Sequence, residues 1–272
     1  MRNIVKRRAQ RKGQAEKSDT PGRPQPSQHK KRKKQGASAP HIMAVVNQKG
    51  GVGKTTTAVN LATALAAVGK SVLLIDLDPQ GNASTGLGID RSVRHCTSYN
   101  LIIGDAVIPD AELETAIPKL SIVPSTIDLS GAELELVGIS QRESRLKRCL
   151  EKTDHAYDYI LIDCPPSLGL ITINALVAAE TVLIPLQCEF YALEGLSHLL
   201  KTIRLITQKL NPRLSIHGVV LTMYDRRNKL TEHIENDVRG YLGEKVYETV
   251  IPRNVRMSEA PSHGKPASVS YT

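Results

Sequence analysis

Asn47-Gln48-Lys49-Gly50-Gly51-Val52-Gly53-Lys54-Thr55-Thr56-Thr57 is the stretch whose reading decides the fold. The unbroken apolar run before it, residues 42–46, reads as a buried strand, and residues 58–66 after it read as a helix. Strand, glycine turn, lysine, threonine and helix form the layout of a phosphate cradle. Glycines let backbone N–H groups turn inward and approach an anion closely. The helix N-terminus behind them adds a partial positive charge. Lys54 supplies a point charge for the β- and γ-phosphates, and Thr55 a hydroxyl for Mg²⁺. The strict spacing asks for a glycine five residues before Gly53, where Gln48 stands, and a second lysine, Lys49, precedes Gly50-Gly51 instead.

Outward from that loop, apolar strands recur. Residues 71–76 form a second one, ending in Asp76-Leu77-Asp78-Pro79-Gln80-Gly81-Asn82, and residues 157–163 a third, ending in Asp163-Cys164-Pro165-Pro166. Ligands of open α/β sheets bind beyond the carboxyl ends of the strands, so these carboxylates should face the phosphates. Further strands are expected at 120–124, 181–186, 215–223 and 246–251. Helices are expected at 54–68, 127–138, 141–152, 170–179, 192–210 and 231–240, with short helices and turns over 96–118. Alternating strands and helices predict an α/β fold: a doubly wound, mostly parallel sheet with helices on both faces.

Composition fits one such domain. Of 272 residues 40% are apolar, yet there is no Trp, one Phe and eight Tyr, so the core must be aliphatic. Cys96, Cys149, Cys164 and Cys188 are scattered without a CxxC pair, which suggests neither a disulfide framework nor a metal cage and fits a reducing cytosol. Cys164 and Cys188, beside core strands, read as small buried hydrophobes. No apolar run approaches the roughly 18 residues that span a bilayer, and the basic start is not followed by the apolar segment of a signal peptide.

The net charge of +9 is unevenly placed. Residues 1–40 hold 13 Lys/Arg against 2 Asp/Glu, while the remainder holds 23 against 25. The leader, with Lys30-Lys31-Arg32-Lys33-Lys34, is too polar to bury a core and is expected to be disordered. It reads equally as a polyanion-binding tail or as a solvated extension. The globular domain is expected over 41–272.

Taken together, Lys49-Gly50-Gly51-Val52-Gly53-Lys54-Thr55-Thr56, Asp76-Leu77-Asp78-Pro79-Gln80-Gly81-Asn82, Asp163-Cys164-Pro165-Pro166-Ser167, Leu186-Gln187-Cys188-Glu189 and the run Ile251-Pro252-Arg253-Asn254-Val255-Arg256-Met257-Ser258-Glu259-Ala260-Pro261 resemble the ParA/Soj family of chromosome- and plasmid-partitioning ATPases over about residues 41–266. The resemblance implies an ATP- and Mg²⁺-dependent P-loop NTPase of the deviant Walker A type. In that family ATP closes a sandwich homodimer that binds DNA without sequence preference, and a ParB-type centromere-binding partner stimulates slow hydrolysis and releases the DNA. A cytoplasmic, nucleoid-associated protein with no membrane attachment is implied. Gly50, Gly51, Val52, Gly53 and Thr56 would line the phosphates, with Lys54 acting in cis and Lys49 reaching the nucleotide of the other subunit. Thr55 would ligate Mg²⁺, with Asp163 behind it and Asp76 near the metal. Asp78 would orient the attacking water, and Pro252 and Asn254 would contact adenine. Arg226, Arg227 and Arg256 match places where the family contacts DNA, although each reads as well as a solvated loop charge, and Arg253 would serve either DNA or nucleotide.

The resemblance also sets expectations where the sequence departs from it. The leader is longer than the usual family start. After Gly264-Lys265-Pro266 the family continues through an apolar segment and a final helix, so apolar surface is expected to lie open on one face of the sheet. A MinD-like relative would need a C-terminal amphipathic helix for the bilayer. A nitrogenase-type reductase would need bridging cysteines, and a ligase on the same fold its own substrate constellation. A passive DNA-binding protein, working through its basic tail alone, is the remaining alternative.

Overall fold

The computed structural model describes residues 39–153, 157–254, 257 and 266–267. The basic leader up to residue 38, Arg256 and most of the chain after Asn254 therefore lie outside the described residues. The strands are β1 (His41–Val45), β2 (Val72–Asp76), β3 (Leu113–Glu114), β4 (Leu120–Val123), β5 (Tyr159–Asp163), β6 (Thr181–Gln187) and β7 (Ser215–Thr222). The α-helices are α1 (Lys54–Ala67), α2 (Asn82–Gly86), α3 (Ser98–Ile103), α4 (Ile108–Ala111), α5 (Leu129–Glu135), α6 (Arg145–Glu151), α7 (Leu170–Ala178), α8 (Ala192–Lys209) and α9 (Lys229–Leu242).

The strands form one sheet in the order β3-β4-β2-β5-β1-β6-β7, parallel except for β3. The apolar strand runs explain themselves here: β2 is buried at every position because helices cover both of its faces. Two cores result. One packs Ala58, Val59, Ala62 and Ala66 of α1 and Ala83 of α2 onto Met43, Val45, Leu74 and Leu161. The other, larger, collects α3 and α5 to α9 on the opposite face around Ala44, Ile75, Ile160, Ile162 and Ile184. Alanines along α1 let it lie close to the sheet, which brings its N-terminus to the end of β1. Cys164 and Cys188 are buried among these apolar groups, as expected, and burial raises both thiol pKa values.

Three elements differ from the sequence reading. The two-residue β3, antiparallel to β4, was not expected, and a run that short carries no alternation to detect. Residues 127–138 and 141–152 yield shorter α-helices, α5 and α6. The last strand expected at 246–251 does not form. That segment runs beside β7 but forms isolated bridges at Val219–Val246 and, just past the strand, at Tyr224–Pro252, with Tyr247 N–H donating to Val219 O and Ile251 N–H to Leu221 O. The Tyr247 ring packs against Gly218, where a Cβ would lie 2.7 Å from it.

Candidate nucleotide site

The sheet delivers its chemistry along one edge. Asp76 and Asp163 are register partners on β2 and β5, and Asp163 is also the partner of Val45 on β1, two residues before the loop begins. Neighbouring parallel strands lie about 4.8 Å apart, so the loop after β1 opens next to the carboxylate of β5. Gly51 and Gly53 take φ of 75° and 85°, left-handed backbone that a side chain at these turns would strain. Gly53 is the N-cap of α1, so the first backbone N–H groups of that helix open toward the loop.

Lys54 is buried and its Nζ donates to Lys49 O at 2.9 Å, folding the loop around its own ammonium. Burial pulls its pKa down, and the Asp163 and Asp78 carboxylates oppose that. Thr222 Oγ1 donates to Val52 O at 2.8 Å and Asn47 Nδ2 to Pro185 O at 2.7 Å, anchoring the loop to the ends of β7 and β6. Lys49 points elsewhere. Its ammonium pairs with Glu189, just beyond β6, and both side chains stay about two-fifths exposed.

The three carboxylates are treated differently. Asp76 is fully buried; its Oδ2 accepts from Ser84 N–H and Oγ–H at 2.9 and 2.7 Å, and its Oδ1 accepts from Asp78 N–H at 3.1 Å. Burial nevertheless raises its pKa to about 6. Asp78 is buried with Oδ1 accepting from Gln80 N–H at 3.0 Å. Asp163 is fully buried, and neither of its oxygens has a hydrogen-bond partner. Burial first, then the charge of Asp76, lifts its pKa well above the carboxylate range; the Thr55 hydroxyl lies close by without meeting hydrogen-bond geometry. A buried carboxylate with bare oxygens beside a threonine hydroxyl and a phosphate loop is the donor set a hard cation asks for. Mg²⁺ is such an ion: it takes one or two carboxylates and completes its shell with phosphate and water.

Pro252 and Asn254, together with Gly53, Thr56, Thr222 and Met257, border a cavity of about 840 Å³. It continues along the sheet as an apolar groove between α1 and β7, past Met43, Leu61, Leu65, Leu161, Leu183 and Val220. Met43, Leu161, Leu183 and Val220 along it are themselves buried, and most of the chain after Asn254, on which the expectation of an uncovered face rests, lies outside the described residues. Arg226 and Arg227 are exposed on the loop after β7, and Arg227 grips Asp225 with Nε and Nη2 at 3.0 and 2.9 Å. The sequence reading missed Ser84, which saturates Asp76, and Glu189 as the partner of Lys49; a pairing across 140 residues leaves no local signal.

A parallel sheet that turns from β1 through a glycine loop into α1, with a strand-terminal Asp on the adjoining strand, defines a P-loop NTPase, here with the extra lysine of the deviant type. Residues 40–216 match the AAA domain family. The chromosome partitioning protein ParA of Caulobacter vibrioides is 58% identical over 83% of this chain and 85% of its own length. The sporulation initiation inhibitor protein Soj of Bacillus subtilis is 58% identical over 83% and 89%. A solved Mycobacterium smegmatis protein described as cobyrinic acid a,c-diamide synthase, with bound ATP analogue and magnesium, superposes with a TM-score of 0.75 at 40% identity, covering 80% of this chain and 86% of that one. The chain belongs to the ParA/Soj family of chromosome-partitioning ATPases. Among its described residues no helix is long and apolar enough to cross a membrane.

Proposed function

We propose that this chain is an ATP-driven DNA-partitioning switch. Two copies, each with Mg²⁺-ATP, close face to face into a homodimer that holds DNA without sequence preference, and hydrolysis, stimulated by a ParB-type centromere-binding protein, lets the DNA go. The observation that carries the reading is the juxtaposition of the Lys54 loop with the bare, buried Asp163 at adjacent strand ends. Backbone N–H groups of residues 50–56 and the Lys54 ammonium bind the phosphates, and Thr55 and Asp163 would hold Mg²⁺, which supplies charge neutralisation at the β- and γ-phosphates. Asp76, its oxygens occupied by Ser84 and Asp78, adds negative charge behind Asp163 rather than a direct bond. Asp78, its rotamer pinned by Gln80, orients the water for in-line attack, and catalysis comes from positioning and charge neutralisation. Lys49 is half-exposed and its ammonium pairs with Glu189 beyond β6, a position that fits a lysine serving the other copy's nucleotide. Pro252 and Asn254 take the adenine at the mouth of the apolar groove. Arg226, Arg227 and Arg256 supply DNA contacts on the dimer surface, with the salt sensitivity of phosphate neutralisation, and the protein works at the nucleoid.

The test is DNA binding of the full chain with ADP, with ATP, and with ATP on Asp78→Ala. Binding should need ATP and should persist in the variant, whose hydrolysis falls to a low residual rate. Equal binding with ADP, abolished by deleting residues 1–40, would instead make the protein a passive basic-tail binder.

A further inference from the structure

Arg94 is a buried cation that forms no ion pair among the described residues. It follows the short 3-10 turn Arg91–Val93 after α2, and only 6% of it is exposed. Its charge meets carbonyls instead. Nη1 donates to Ser125 O at 3.1 Å and to Gly81 O at 3.4 Å; Nη2 donates to Ile89 O at 2.7 Å and to Thr85 Oγ1 at 2.9 Å; Nε donates to Ile89 O at 3.3 Å. One planar fork therefore ties together three segments: the turn after β2, the C-terminal side of α2, and the loop after β4. A lysine at this place could not do so, because it offers one point charge rather than a rigid set of donors.

The turn that Arg94 holds is the one that carries Asp78. Gly81 N–H donates to Asp78 O at 2.9 Å, and Gln80 N–H donates to the Asp78 carboxylate. Gly81 sits at φ 65° with no room behind it, since a Cβ there would lie 2.9 Å from Ser125 O. Ser125 in turn donates its N–H to Ser84 Oγ at 3.1 Å, and Ser84 holds Asp76. The guanidinium thus closes a ring of contacts around the Asp76–Gly81 turn. Burying a cation among carbonyls costs desolvation, and what the fold gains is one fixed position for that turn.

We infer that Arg94 is a positioning residue for hydrolysis: it sets the Asp78 carboxylate through the Gly81 turn and so sets the attacking water, without touching nucleotide. The inference rests on the reading of Asp78 given above. It is tested on the full chain by ATP hydrolysis and nucleotide affinity in wild type, Arg94→Lys, Asp78→Ala and the double variant, with thermal unfolding alongside. Arg94→Lys should lower kcat by about tenfold or more, since a displacement of about 1 Å costs that much, while ATP affinity and KM stay within about threefold. In the Asp78→Ala background the same change should have no further effect, the non-additivity expected of residues that act as one unit. Thr85→Val, which removes one partner and keeps the guanidinium, should give a smaller fall in kcat and carries the test if Arg94→Lys does not fold. Equal loss in both backgrounds, or loss of ATP affinity in step with kcat, overturns the inference and leaves Arg94 a structural clamp. Wild-type hydrolysis by Asp78→Ala overturns the reading of Asp78 itself.

Discussion

The ends of β2 and β5 carry the same residue in the same register with the same burial, and the two carboxylates are held in opposite ways. Asp76 accepts three hydrogen bonds; Asp163 accepts none. Burial works against the charged form of both; at Asp76 the Ser84 and Asp78 N–H donors pull back against the Asp78 charge, while at Asp163 the charge of Asp76 adds to the penalty and the Thr55 hydroxyl and Lys54 oppose it. A fold that spends donors on one carboxylate and withholds them from the one beside it has built a bracket and a socket. Asp76 fixes the start of α2 and the turn leading to Asp78. Asp163 is left with bare oxygens toward the loop, where a cation would satisfy them.

The largest effect should come from Asp163→Asn. Steady-state ATP hydrolysis should fall by about a hundredfold or more, the scale of removing one transition-state stabilising group, while thermal unfolding of the nucleotide-free protein shows equal or higher stability, because an uncompensated buried carboxylate is gone. A marked loss of nucleotide-free stability would erase the contrast between the two positions.

Next in size is a dependence on pH. The Asp76 carboxyl titrates near 6 when folded and near 3.8 otherwise. The folded state therefore binds the proton more tightly, so this group's contribution to stability is fully present below about 4 and is lost as pH rises through about 6, a change on the order of 3 kcal/mol. Denaturant titrations from pH 4 to 7 without metal or nucleotide should show that decline. Asp163, raised still further, acts in the same direction, and a flat profile would mean that neither carboxyl is shifted as its surroundings imply.

The smallest effect is Asp76→Ala at neutral pH. Losing the bonds to Ser84 and Asp78 should destabilise by about 2 kcal/mol, since each net bond contributes about 1 kcal/mol and relief of a desolvated charge offsets part of the loss. Equilibrium unfolding measures it; a stabilised variant would show that the Ser84 contacts do not repay burial.

How much of this was legible beforehand follows from how local each signal is. The strand ends at Asp76 and Asp163 stand out because buried parallel strands are unbroken apolar runs that stop at a charge, and the loop stands out because its glycines and lysines are contiguous. The contrast between the two carboxylates was not legible. It depends on Ser84 folding back over eight residues and on nothing folding back over Asp163. Glu189 beside Lys49 and Arg94 behind Gly81 are likewise products of strand order and loop packing rather than of spacing. Residues 246–251 carried a strand's pattern, but the segment meets β7 at isolated bridges instead of along a continuous ladder, a pairing that spacing alone does not reveal.

That loosely attached segment has a consequence for solubility. An outermost strand offers unpaired backbone groups on which another chain can add and seed aggregation. Here β7, eight residues long, would be such a template, but the strap from Val246 to Pro252 occupies the Val219 and Leu221 carbonyls and crosses the strand's outer side. At the opposite margin the two-residue β3 caps β4 with a stub too short to recruit a neighbour. The sheet is thus fenced at both margins by chain that is itself a poor partner for further growth, so that neither margin invites strand addition by another copy.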